Sequence, residues 1–114
     1  MKKEILEKTA KEYFESATDE YKKERYNSAV VLFFKALIAT TDIYILQKTG
    51  KTPSSHTERF KTTKEKFPEI YIILDKNFPF YQDSYVQVME KELAEVIRDD
   101  TISLAKKASI KIQP

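Results

Sequence analysis

Residues 26–50, YNSAVVLFFKALIATTDIYILQKTG, constrain this chain more than any other stretch. They are too apolar for a surface helix and too regular for a loop. One polar line runs through them at seven-residue spacing, Ser28, Lys35, Asp42 and Thr49, while alanine, valine, leucine, isoleucine, phenylalanine and tyrosine cover nearly everything else. A helix of that character must be wrapped by neighbours on most sides. At about 1.5 Å per residue it spans on the order of 35 Å, roughly the length of a small domain. The expectation is therefore an all-α protein built around this helix.

The rest of the composition agrees. One glycine and four prolines in 114 residues leave little material for turns, which favours long elements with few connections and disfavours a sheet. That length, with 41% apolar residues, fits a single helical-bundle domain over residues 1–114. With no cysteine and one histidine, neither a disulfide framework nor thiolate chemistry is open to the chain, and no structural zinc site is expected. No cofactor is expected. The opening MKKEILEKTAKEYFE is charged from its first turn, and no uninterrupted apolar run approaches about 18 residues, so no membrane span is expected and the expected location is cytoplasmic.

The formal charge of +2 hides an uneven distribution. Residues 48–66 hold six basic side chains (Lys48, Lys51, Arg59, Lys61, Lys64, Lys66) against Glu58 and Glu65. Residues 83–100 hold six acidic ones (Asp83, Glu90, Glu92, Glu95, Asp99, Asp100) against Lys91 and Arg98. Signed segments of this kind pair with one another more often than they recruit nucleic acid, so complementary faces are expected and RNA binding is left open. The acidic cluster at Glu92, Glu95, Asp99 and Asp100 is read as an exposed helix face and not as a metal site.

Along the chain, residues 2 to about 23 read as an amphipathic first helix, with Leu6, Ala10, Tyr13, Phe14, Ala17 and Tyr21 on one stripe. A short turn at 24–27 makes it an antiparallel neighbour of the central helix, with Asn27 as a candidate N-cap. Gly50 falls where a left-handed C-cap is needed. Ser55 and Glu58 have the form of a capping box opening a third helix anchored by Phe60 and Phe67. Pro68 places a break at Phe67, residues 69–76 read as helix, and 77–82, NFPFYQ, as an irregular segment around Pro79. From residue 83 to about 112, Val86, Met89, Leu93, Val96, Ile97, Leu104, Ala105, Ala108 and Ile112 keep helical spacing, as one helix or as two joined near 98–101 with Asp99 or Asp100 as cap. The aromatic side chains Tyr13, Phe14, Tyr21, Phe33, Phe34 and Tyr44 are read as core.

The leading AKEYFESA, the short turn and ERYNSAVVLFFKALIATTDIYILQKTGKTPSSHTERF resemble the HEPN domain, the small helical family named for higher eukaryotes and prokaryotes nucleotide-binding. The positions that carry the resemblance are Tyr26, Ala29, Gly50, Pro53 and His56, and it covers roughly residues 10–60. It implies an antiparallel up-and-down bundle of four or five helices, a homodimer, and a nucleotidyltransferase-type protein or a nucleotide as partner, in a toxin–antitoxin-like setting. Ribonucleases of the family carry an arginine followed after four to six residues by histidine. Here Arg98 is followed at those distances by Ser103, Leu104 and Ala105, and the only histidine is His56. Metal-free RNA cleavage needs a group that exchanges protons near neutral pH, so the resemblance implies a non-catalytic member.

Two other readings share the same residues. Ala29, Phe33 and Ala36 match the second helix of a tetratricopeptide hairpin, which makes the chain a scaffold for protein partners, although no unit recurs near the 34-residue period of such repeats. A divergent metal-independent ribonuclease centred on His56 and Arg59 is the third. The candidate ligand-binding residues are His56, Arg59 and Lys61: imidazole, guanidinium and the backbone N–H groups of a helix start could surround one anion, or His56 is simply a satisfied loop side chain. Lys35 and Asp42 share one face of the central helix, as a ligand-facing strip or, on the reading preferred here, its solvated edge.

Overall fold

A computed structural model describes residues 2–112. Among them are five helices and no strand: α1 (Lys2–Lys22), α2 (Tyr26–Thr49), α3 (His56–Lys66), α4 (Pro68–Asp83) and α5 (Lys91–Lys107). The protein is an all-α helical bundle, as expected. α2 is its axis, burying twelve side chains, Ala29, Phe33, Phe34, Leu37, Ile43 and Ile45 among them. Each fully buried Phe, Leu or Ile of this kind contributes about 1.5–3 kcal/mol of hydrophobic stabilisation. By length and composition alone α2 would also cross a bilayer, but 67% of its most apolar window is buried inside the bundle. At 24 residues it matches the 38 Å long dimension of the molecule.

α1 lies antiparallel to α2, with Phe14 edge-on to Phe33 at 5.2 Å and Tyr21 against Tyr26 at 5.8 Å. The connection is tight because α1 ends in a Schellman motif, in which Glu24 takes the left-handed conformation at φ 61° and Arg25 N–H reaches back to the Glu20 carbonyl. Helix α2 is not capped by Asn27. That residue lies inside the first turn, and its amide is used across the chain: Nδ2 donates to the carbonyls of Ser84 (2.9 Å) and Gln87 (2.7 Å), while Oδ1 accepts from Met89 N–H (2.9 Å). It pins the α4–α5 loop. At the other end Gly50 caps α2 at φ 77°, its N–H bonded to Leu46.

Phe67 separates α3 from α4, and Pro68 opens α4 where its missing N–H costs nothing. The anchors of α3 differ from those expected: Phe60 and Phe67 are only half-buried, whereas Arg59 and Thr63 are buried. Residues 77–82 are helical rather than irregular. Pro79 is exposed and cannot donate to the Asp75 carbonyl, and the aromatic side chains around it hold the turn by stacking, Tyr81 on Phe34 with centroids 4.6 Å apart. α4 thus runs antiparallel to α2, since Tyr44 meets Phe67 at the opposite end.

Residues 84–90 form a loop, and Val86, read above as core, is 79% exposed. α5 is one uninterrupted helix, with no cap at Asp99 or Asp100. Instead Asp100 accepts from Lys76 (2.7 Å) and from Asn77 (2.8 Å), tying α5 to α4. α5 ends in a second Schellman motif with Ser109 left-handed at φ 58°, which folds Ile110 and Ile112 onto the core. Helices α1, α2, α4 and α5 alternate in direction, and short α3 returns the chain between α2 and α4. The expected pairing of the basic and acidic segments is absent: among the described ion pairs Arg59 meets Asp42, Arg98 meets Asp99 and Lys76 meets Asp100, and none joins the two segments. Helix α3 packs on α4 and not on α5, which keeps them apart.

Candidate functional site

Where α3 begins, the Arg59 side chain reaches across to Asp42 of α2 and brings three polar side chains into line. Arg59 Nε–H donates to Asp42 Oδ1 at 2.7 Å and Nη2–H to Oδ2 at 2.8 Å, a bidentate pair in which both residues are buried. The Arg59 Nη1 group lies 3.0 Å from His56 Nδ1. Guanidinium groups only donate, so Nδ1 accepts and the proton of the neutral imidazole sits on Nε2. Partial burial and the Arg59 charge beside it push the His56 pKa below the usual histidine value, with Asp42 opposing. The imidazole therefore presents a fixed N–H donor. Its ring is steadied by Phe78, 5.7 Å away.

His56 and Arg59 line a cleft of about 350 Å³ between α1, α2, α3 and the end of α4. Its walls are the aliphatic Leu6 and Ile38 and the rings of Tyr13, Phe34 and Tyr81. Tyr81 is held flat on Phe34, and its hydroxyl is paired with that of Tyr85 at 2.8 Å. Lys35 completes the rim, with Nζ 6.0 Å from the Tyr13 ring. Asp42 and Lys35 do share one face, but they meet different fates: Asp42 is buried under Arg59 and Lys35 stays exposed, so the solvated-edge reading fails at Asp42.

Of the three residues read from sequence, His56 and Arg59 come together here, and Lys61 is exposed and does not line the cleft. The start of α3 is also already occupied. Ser55 Oγ accepts from Glu58 N–H at 3.1 Å, and the Glu58 carboxylate turns back onto the hydroxyl and N–H of Ser54, one residue earlier than a capping box requires. Those Ser54 bonds, hydroxyl first, hold the Glu58 pKa below the carboxylate range, so a negative charge stands at that helix start. Arg98 is elsewhere, over the Tyr21 ring at 5.4 Å, toward the far end of α1. Sequence reasoning missed Tyr81 as a cleft residue because 77–82 was read as irregular. It also took Tyr13 and Phe34 for plain core, and only the seven-residue polar line through Lys35 and Asp42 pointed to this face.

Comparisons with family models, with curated proteins and with solved structures find no match to this chain.

Proposed function

We propose that this protein is a non-catalytic helical binding module whose ligand seat is the cleft between α1, α2 and α3. The reading rests chiefly on His56. With Nδ1 engaged by Arg59, Nε2 carries the proton and has no lone pair to accept another, while protonation of Nδ1 would set a donor against a donor. The chain's only imidazole is thus suited to donating a hydrogen bond and poorly suited to general-base cleavage of RNA. Aromatic and aliphatic walls beside a few convergent polar groups are the usual make-up of a small-molecule site. The resemblance to HEPN domains adds nucleotides as the first ligands to try, in a cytoplasmic homodimer. The test is native mass spectrometry with and without AMP and ATP, run beside an RNA cleavage assay. Retained nucleotide and intact RNA are expected; cleavage that disappears in His56→Ala would overturn the non-catalytic reading.

A second reading has its own observation. Tyr85, Val86 and Val88 are 69%, 79% and 89% exposed on a loop that Asn27 holds in place. A pinned loop presenting three large apolar side chains suits a protein partner, whether a nucleotidyltransferase-type protein or the partner of a helical-hairpin scaffold. Loss of a captured partner on Val86→Asp and Val88→Asp, with the fold unchanged by circular dichroism, would favour it.

A further inference from the structure

The charges around the cleft do not balance evenly. Arg59 and Asp42 neutralise one another in a buried bidentate pair. Lys35 makes no ion pair among the described residues, so it is the one cation of the cleft that no carboxylate offsets. Lys35 and His56 both line the cleft, and the Lys35 charge adds slightly to the forces disfavouring the imidazolium. The helix start beside them is closed to an anion by the Glu58 carboxylate. A ligand meets one ammonium, one neutral N–H donor, the Ser55 hydroxyl, and walls formed by Tyr13, Phe34, Tyr81, Leu6 and Ile38.

We infer that the cleft takes a small, flat, amphipathic molecule bearing a single anionic group, with that group on Lys35 and His56 Nε2–H and the apolar body against the aromatic rings. The inference rests on the ligand-binding reading above and deepens it. One uncompensated ammonium matches a carboxylate or one phosphomonoester. A triphosphate would bring several charges into a space with a single uncompensated counter-charge, and their mutual repulsion and desolvation in a half-shielded site then outweigh the gain. Size points the same way, because about 350 Å³ is near the lower end of the roughly 300–1,000 Å³ range of small-molecule sites. Planarity follows from the walls, where the half-buried rings of Tyr13 and Tyr81 give the cleft an aromatic lining.

The experiment is isothermal titration of the full chain with four probes, AMP, indole-3-acetate, adenosine and ATP with Mg²⁺, repeated on Lys35→Met and His56→Gln. The expected result is saturable binding of AMP or indole-3-acetate, weakened about tenfold in Lys35→Met and less in His56→Gln, with ATP no tighter than AMP and adenosine weaker. AMP alone or indole-3-acetate alone would tell a phosphomonoester site from a carboxylate site. ATP binding more tightly than AMP, or adenosine binding as well as AMP, would overturn this inference and leave the ligand-binding reading standing. No binding by any probe would overturn both. Lys35 is exposed on a helix surface, so Lys35→Met is expected to fold, and circular dichroism checks that it does.

Discussion

Asp42 is the residue on which the cleft depends, because it decides where Arg59 points and Arg59 decides which nitrogen of His56 carries the proton. Breaking a buried ion pair from one side leaves an uncompensated charge, so Asp42→Ala should lower stability by about 3 kcal/mol in urea denaturation. Replacing both partners, as Asp42→Leu with Arg59→Met, should recover much of that loss, since two apolar groups have nothing left unpaired. His56 offers a second check. Its pKa in the folded protein lies below the ordinary 6.5, so above that pH both folded and unfolded chains hold it neutral. As the pH falls below 6.5 the unfolded chain binds the proton first, and the native state loses stability until its own lower pKa is passed. Relative to His56→Gln, the melting temperature of the native sequence should drop on acidification below pH 6.5, and imidazole NMR should titrate below that value. A flat difference between the two proteins would contradict the assignment.

At the scale of elements, the helices were legible wherever period and punctuation agreed. The stripe of α1, the apolar mass of α2, Gly50 and the Phe67–Pro68 break all follow from rules that act within a few residues. What was hidden depended on contacts distant in sequence. Asn27 looks like a cap until the chain from Ser84 to Met89 arrives to use its amide, and Pro79 looks like a breaker until Tyr81 is found stacked on Phe34 of α2. Val86, at helical spacing with Met89 and Leu93, carried no sign that the loop would leave it in solvent. Two helix ends were also silent, because Glu24 and Ser109 fill left-handed positions where glycine is the usual signal. Glu24→Gly should therefore raise stability by about 1 kcal/mol, read as a higher urea midpoint with an unchanged slope. The candidate site was half legible: His56 and Arg59 were named from the opening of α3, but their alignment by Asp42 depends on a side-chain pair between residues 17 positions apart.

For the whole molecule, one axial helix does two jobs. Its buried faces hold α1, α4 and α5 together, and its polar line, interrupted by the arrival of α3, becomes the charged rim of a cleft. The radius of gyration, 13.2 Å, is that of a compact chain of this length, so the cleft is a surface feature on a closed core and not a gap between loosely joined parts. The central claim is that this face binds a small ligand without cleaving RNA. The most direct measurement is an amide NMR titration of the ¹⁵N-labelled chain with AMP and, separately, with indole-3-acetate. Saturable shifts gathered on Tyr13, Lys35, His56 and Tyr81, and absent from Lys61 and Arg98, are the expected result. Spectra unchanged by either probe at millimolar concentration, or shifts centred on Tyr85 to Val88 with the cleft undisturbed, would contradict it.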